Sequence, residues 1–144
     1  MAPQRDMSES NVELVRRLYG YNWASVAERE RGLAVSAELV SPEIEARMAP
    51  EVDDRTLHGL EDFADFVLGL EEDFSEFRYE PSRLSEPAPD EVLVTGRISA
   101  RGRLSKMPLT APFGHLWRLR DGKPVSVEAH LNPDDAFAAA WRAP

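Results

Sequence analysis

Residues 113–131 read FGHLWRLRDGKPVSVEAHL, and they carry the strongest signal for the fold class. Asp121-Gly122 is a strong two-residue hairpin turn signal, and an alternating run from Val125 to Leu131 follows it. The run before the turn alternates with the period of a strand that buries one face. Its apolar face carries Phe113, His115, Trp117 and Leu119. The stretch therefore predicts an antiparallel hairpin with a histidine on its inward face.

Two more strands are predicted upstream of this hairpin. Asp90 to Arg103 alternates, and the residues on its apolar face are Val92, Val94, Gly96, Ile98 and Ala100. Ile44 to Met48 alternates apolar and charged residues, which is typical of a half-buried strand. Pro112 has no N–H to donate to a sheet. The strand that carries His115 is therefore expected to begin after Pro112 or to bulge there.

Helical spacing accounts for most of the remaining chain. Ser10 and Glu13 form a capping box, which predicts a helix from Asn11 to about Ala27. A shorter helix, 33–40, is expected after Gly32, and a long amphipathic helix over 60–77. Ala49 to Thr56 is interpreted as an exposed loop, and Pro81, Pro87 and Pro89 as breaks in a connector. Asn132-Pro133 predicts a short final helix, which Phe137 and Trp141 would dock.

This order of elements indicates an α+β protein rather than a parallel α/β sheet. The helices are expected to cover one face of an antiparallel sheet. We expect residues 1–9 to be a disordered tail and residues 10–144 to form a single domain, since 144 residues is a common size for one domain.

Composition excludes several classes of partner. The formal charge is −9, from 26 acidic and 17 basic residues, which disfavours nucleic acid and anionic membranes. No stretch is long and apolar enough to be a transmembrane helix. The polar segment Met1 to Ser10 predicts no signal peptide, and the absence of cysteine fits a cytoplasmic protein.

Motifs for metal, nucleophilic and phosphate chemistry are missing from the sequence. The three histidines, His58, His115 and His130, show neither His-x-His nor His-x-x-x-His spacing, so no metal site is expected. Neither Gly-x-Ser-x-Gly nor a glycine-rich phosphate loop occurs. We therefore expect no cofactor.

Four stretches together resemble a known family. They are NVELVRRLY at 11–19, LVSPEIE at 39–45, HGLEDF at 58–63 and FGHLWRLRDGK at 113–123. Their order and spacing resemble SnoaL-like proteins, which are polyketide-cyclase relatives in the ketosteroid-isomerase and nuclear-transport-factor-like superfamily. The resemblance implies a cone-shaped domain with a strongly curved, mostly antiparallel sheet. It places the N-terminal helices on the concave face, with one deep pocket there and a homodimer contact on the convex face.

The resemblance also aligns family residues with this chain. The position of the isomerase's catalytic aspartate falls on Met48, so the general base of that reaction is missing. The position of a second isomerase acid falls on His115, and that of a cyclase acid falls on Asn132. A tyrosine donor from the first helix aligns with Leu18, with Tyr19 adjacent.

The resulting candidate pocket is largely apolar. His115 is the candidate catalytic residue and the main polar determinant, because a neutral imidazole can exchange a proton or hold a ligand oxygen. Tyr19 and Tyr21 are possible orienting donors from the first helix. The predicted ligand-binding residues are Tyr19, Trp23, Met48, Phe63, Val67, Gly96, Phe113, His115 and Trp117.

Three functions stay open on this basis, since one fold hosts many. The leading hypothesis is a domain that binds a small apolar molecule. The alternatives are an isomerase, cyclase or dehydratase that uses His115 for proton transfer, and a non-catalytic dimerising module. For the homodimer, the outer sheet face is predicted to contribute Arg97, Leu116, Glu128 and His130. His58 is expected to pack in a turn.

Overall fold

The computed structural model describes residues 10–49 and 55–142. Within the last helix, the side chains of Phe137 and Trp141 lie outside the described residues. The predicted docking by these two side chains, the predicted tail at 1–9 and most of the predicted loop at 49–56 therefore fall outside the description. No helix in the described part of the chain is long and apolar enough to cross a membrane.

The elements run in the order α1, α2, β1, β2, α3, β3, β4, β5, β6, α4. The helices are α1 (Asn11–Arg16), α2 (Val26–Leu39), α3 (Gly59–Asp73) and α4 (Pro133–Arg142). The strands are β1 (Glu45–Arg47), β2 (Thr56–His58), β3 (Phe74–Ser85), β4 (Glu91–Gly102), β5 (Pro108–Arg120) and β6 (Lys123–His130). They form one open sheet in the order β2-β1-β6-β5-β4-β3. All neighbours pair antiparallel except β1 and β6, which are parallel. The predicted α+β class with a mostly antiparallel sheet is confirmed.

Three local sequence signals operate as predicted. The Ser10 side chain accepts the Glu13 N–H and the Glu13 carboxylate accepts the Ser10 N–H, so the capping box forms. Asp121 and Gly122 both have positive φ, 52° and 78°, and join β5 to β6 in a tight turn. The Asn132 side chain accepts the Asp134 N–H at 2.9 Å and caps α4.

The predicted bounds of the first two helices are wrong. Helix α1 ends at Arg16, and the chain passes through Gly20 at φ 101°, a conformation that favours glycine. Gly32, interpreted as a break, lies inside α2 and is buried. A Cβ at Gly32 would lie 2.6 Å from the Trp23 ring. The absence of a side chain at Gly32 therefore allows Trp23 to pack against the helix.

Strand β3 lies where the sequence suggested the end of a helix and a connector, and strand β2 lies partly where it suggested a loop. Strand β3 occupies 74–85, and its register with β4 shifts between Pro81 and Arg83. Strand β3 is an edge of the sheet, where a proline and a bulge are tolerated. Strand β2 begins at Thr56, inside the predicted loop.

Strand β5 begins at Pro108, not after Pro112. Pro112 pairs with Arg97 of β4 without a register shift. The pairing of β5 with β6 starts only at Gly114. Pro112 thus lies where β5 has a neighbour on one side, so its missing N–H need not interrupt the ladder.

The expectation that all helices cover one face is also wrong. The first three helices contribute to the core on the inner face, with Val15 of α1 and Val67 of α3 almost fully buried. Helix α4 instead packs on the outer face, where Ala136 and Ala139 join Leu93 and Leu116 in a separate cluster. Gly114 allows this contact, because a Cβ there would lie 2.7 Å from the Ala136 Cβ.

Candidate functional site

A partly open cavity of about 100 Å³ lies between α2, α3 and the inner face of the sheet. Its lining is largely apolar and comes from α2, α3, the segment after α1, and five of the six strands. Six of the predicted ligand-binding residues line it. They are Tyr19, Trp23, Met48, Phe63, His115 and Trp117.

Three aromatic side chains form a hydrogen-bonded chain in this lining. Trp117 Nε1 donates to Tyr19 Oη at 2.8 Å, and Tyr19 Oη lies 2.7 Å from His115 Nδ1. His115 and Trp117 share the inner face of β5 because they are two residues apart. Tyr19 reaches them from the segment that follows α1. These hydrogen bonds thus connect Tyr19 to His115 and Trp117, which lie 96 and 98 positions later in the sequence.

The direction of the Tyr19–His115 hydrogen bond follows from the donors available. An indole N–H can only donate, so Tyr19 accepts from Trp117 and has its own O–H left for His115 Nδ1. The neutral imidazole then carries its proton on Nε2. The opposite tautomer would leave the Tyr19 O–H without an acceptor in a desolvated site, at a cost of about 1–3 kcal/mol.

Burial keeps three polar side chains of the cavity uncharged, whereas the exposed Arg47 of β1, which also lines it, is a cation. Desolvation lowers the pKa of His115 from 6.5 to about 3, with a smaller contribution from the charge of nearby His130. Burial raises the pKa of Tyr79 to about 12. It also raises the pKa of Tyr19, against the opposing effect of the hydrogen bond from Trp117. Near neutral pH all three side chains are neutral.

Two hydroxyl groups of the lining were not among the predicted site residues. Tyr79 of β3 packs its ring against His115 with a centroid distance of 4.9 Å. Ser36 of α2 is 7% exposed and lines the same cavity. Neither hydroxyl makes a hydrogen bond to the described residues. The same holds for His115 Nε2, so three polar atoms of the lining lack a partner within the described ranges.

The sequence held a signal for Tyr79. Phe77 and Tyr79 alternate with Arg78 and Glu80, which is strand periodicity. Pro81 and the preceding helical pattern obscured it. Ser36 carries no such signal, since a serine inside a helix is usually solvated or bonded to the preceding turn.

Three predicted ligand-binding residues do not line the cavity. Val67 is 1% exposed in the cluster between α3 and β3. Phe113 is 1% exposed and packs behind His115, with ring centroids 4.5 Å apart. A Cβ at Gly96 would lie 2.1 Å from the Glu80 carbonyl oxygen. Gly96 therefore permits the approach of bulged β3, and not of a ligand.

The other candidate polar residues lie away from the cavity. His58 is exposed and forms an ion-pair contact of 3.6 Å with Glu45. His130 lies on the outer face beside Glu128, at 3.7 Å. Tyr21 Oη donates to the Arg17 carbonyl oxygen. Among the residues described, no group of three or more histidine, aspartate or glutamate side chains could hold a metal ion.

Comparison with known proteins places this geometry in context. Residues 16–127 match the SnoaL-like domain. No curated protein matches the sequence.

Solved structures with the same fold cover nearly the whole chain. A proposed SnoaL-like polyketide cyclase from Jannaschia sp. CCS1 is 21% identical, with a TM-score of 0.70 over 99% of this chain and 100% of that one. An NTF2-like protein of unknown function from Burkholderia pseudomallei K96243 is 21% identical, with a TM-score of 0.69 over 94% and 100%. TerC, co-crystallised with polyporic acid, is 21% identical, with a TM-score of 0.69 over 92% and 98%. At these identities the likeness shows the fold alone.

Proposed function

This chain belongs to the SnoaL-like domain family, and from that premise we propose that its cavity binds a small, largely apolar organic molecule. His115 would be the main polar contact with that molecule. One observation carries the proposal: an apolar cavity holds an imidazole whose Nδ1 is occupied by Tyr19, while its Nε2 has no partner among the described residues. Such sites combine apolar lining with a few fixed polar groups.

The cavity itself supports binding over a purely structural role for these side chains. A core packed to ordinary density leaves few voids larger than a water molecule. The cavity of about 100 Å³ is larger than a water molecule. It is bordered by the hydroxyl groups of Tyr79 and Ser36 and by the imidazole of His115. The related fold of TerC, which was co-crystallised with polyporic acid, supports a small organic ligand as the class.

Proton-transfer catalysis is the second candidate, because His115 and Tyr79 bring two polar groups into one cavity. It is less well supported. Efficient general acid–base catalysis needs a group whose pKa is near the working pH, whereas burial holds the pKa of His115 at about 3 and that of Tyr79 at about 12. No carboxylate of the described residues lines the cavity, and Met48 stands where the resemblance aligns the isomerase base.

The proposal is tested by titrating the full chain with 1-indanone, a small bicyclic ketone, and measuring affinity by calorimetry or ligand-observed NMR. His115→Phe keeps an aromatic ring and removes the polar contact. We expect it to weaken binding by about 0.5–1.5 kcal/mol, the net contribution of a neutral hydrogen bond.

The matched control is His58→Phe, because His58 is exposed and does not line the cavity. We expect it to bind like the wild type. Failure of the wild type to bind 1-indanone and apolar bicyclic probes such as indene would contradict the proposal. Equal affinities of the wild type and His115→Phe would contradict the role of His115.

A further inference from the structure

Resting on the proposed function, we infer that Tyr19 makes the cavity selective for ligands that present a hydrogen-bond acceptor, such as a carbonyl oxygen, to His115. Tyr19 is a positioning residue in this account, since it acts through the imidazole. The inference rests on the distances of 2.8 Å from Trp117 Nε1 to Tyr19 Oη and 2.7 Å from Tyr19 Oη to His115 Nδ1.

Trp117 sets the orientation of the Tyr19 hydroxyl. Trp117 offers only a donor, so the Tyr19 oxygen meets it with a lone pair. The hydroxyl proton is then directed at the other polar atom in reach, His115 Nδ1. Because Nδ1 accepts this proton, the neutral imidazole keeps its own proton on Nε2.

His115 therefore presents an N–H donor, Nε2, to the cavity. His115 lines the cavity and its Nε2 makes no hydrogen bond within the described part of the chain. An N–H that faces an apolar cavity is left unsatisfied unless a water molecule or a ligand atom accepts from it. A ligand that offers only an N–H there would place two donors against each other and would gain nothing.

The neighbouring hydroxyl groups do not oppose this selectivity. Tyr79 and Ser36 can each turn their hydroxyl to donate or to accept, and neither has a fixed partner among the described residues. Only His115 has its donor sense fixed by another side chain. At His115 the preference for acceptors therefore comes from Tyr19, while the two hydroxyls adapt to the ligand. Arg47 of β1 is exposed and also lines the cavity, and its guanidinium can only donate.

The test compares three bicyclic probes of similar shape on the full chain: 1-indanone (an acceptor), indole (an N–H donor) and indene (neither). We expect 1-indanone to bind from about twofold to about tenfold more tightly than indene, and more tightly than indole. Binding of indole as tightly as 1-indanone, or more tightly, would overturn the inference. Absence of binding by all three probes would instead count against the proposed function.

Histidine ¹⁵N NMR of the wild type provides a readout that does not need a ligand. The expected pattern is a protonated Nε2 and an unprotonated Nδ1, with the His115 signals assigned by their loss in His115→Gln. A protonated Nδ1 in the wild type would overturn the inference even if ligands bind.

Two tyrosine variants separate positioning from simple contact. Tyr19→Phe removes the proton that Nδ1 accepts, so we expect a mixture of tautomers and a reduced ratio of 1-indanone to indole affinity. Tyr79→Phe is the matched control, since it removes a hydroxyl beside the same imidazole but none bound to Nδ1. It should keep the wild-type tautomer. Unchanged tautomer and selectivity in Tyr19→Phe would contradict the role of Tyr19.

Discussion

His115 combines two effects that act on a single side chain in different ways. Burial disfavours the charged imidazolium, which lowers the pKa to about 3. The hydrogen bond with Tyr19 does not add charge but selects one neutral tautomer. The result is a side chain whose charge and donor sense are both fixed near neutral pH. It is suited to holding a ligand more than to exchanging protons with one.

A pH dependence of stability follows from the same residue. The unfolded chain takes up a proton at His115 below pH 6.5, whereas the folded chain does so only near pH 3. The free energy of unfolding should therefore fall as the pH falls from about 6.5 toward 3, by about 1.4 kcal/mol for each pH unit. Above pH 7 this residue should contribute no pH dependence.

The measurement is urea unfolding of the wild type and of His115→Gln from pH 7 to pH 4. The variant corrects for groups that titrate in the same range, such as Glu28, whose pKa is lowered chiefly by a hydrogen bond from the Asn22 backbone. The difference between the two proteins should shrink steadily with acidification. A constant difference would show that the pKa of His115 is not lowered by folding.

At the scale of elements, two glycines exchange the roles that the sequence suggested. Gly20 has a positive φ and follows the end of α1, while Gly32 lies within α2 beneath Trp23. The sequence suggested that Gly20 lies inside a helix over 11–27 and that Gly32 precedes a helix over 33–40, because helix propensity does not tell a glycine that ends a helix from one inside it. The partner that makes Gly32 necessary is the Trp23 ring, nine residues away. The backbone N–H of Trp23 donates to the Phe77 carbonyl oxygen of β3, which holds this residue in place.

Alanine substitution of two helical glycines should separate packing from propensity. Gly32→Ala would place a Cβ 2.6 Å from the Trp23 ring, so we expect a destabilisation of about 1–3 kcal/mol from overpacking. Gly69 of α3 is exposed and has nothing within 4 Å of the added atom. Gly69→Ala should therefore stabilise the protein by about 0.5–1 kcal/mol.

Chemical denaturation of both variants measures these changes. Opposite signs are expected from the same chemical substitution. If Gly32→Ala were as stabilising as Gly69→Ala, the close contact with Trp23 would be wrong.

Pro81 and Pro112 lie where a strand has a neighbour on one side only, and not at the end of a strand. Pro81 lies at the bulge of edge strand β3, and Pro112 lies where β5 has one neighbour. From the sequence alone, a proline indicates that a ladder hydrogen bond is missing. Whether the missing bond ends a strand or lies on its open side depends on which strands are neighbours, and this is a property of the whole sheet.

At the scale of the molecule, α4 covers part of the outer face of the sheet, where the homodimer contact was predicted. Leu116 was predicted to support a homodimer there, but it is fully buried beneath Ala136 and Ala139. What stays accessible is polar: Arg97 is exposed, and Glu128 and His130 are half-buried. The homodimer stays a prediction, and so does a cytoplasmic location.

Light scattering at micromolar concentration tests the homodimer. A dimer through this face should have twice the 16.2 kDa mass of the chain. Arg97→Glu should shift it toward the monomer by reversing a charge of that face. The matched control is Leu104→Ser, a change of a 93% exposed residue in the turn between β4 and β5. A single 16.2 kDa species for the wild type would rule out the dimer at this concentration.

Local sequence patterns are sufficient to predict the α+β class, the inward face of β4 and β5, the cap of α1, the turn at Asp121-Gly122 and the start of α4. These features depend on residues a few positions apart, and local sterics and side-chain periodicity are sufficient to specify them. The sequence also indicated six of the residues that line the cavity and missed others, such as Tyr79 and Ser36.

Three features follow from the fold and not from local patterns: the hydrogen bonds that join Tyr19, His115 and Trp117, the presence of Tyr79 in the cavity and the position of α4 on the outer face. Each joins segments distant in the sequence, whose meeting depends on how the sheet orders its strands and which face each helix covers. The tautomer of His115 is the clearest case. It depends on one proton of Tyr19, 96 residues away, and on an indole that can only donate.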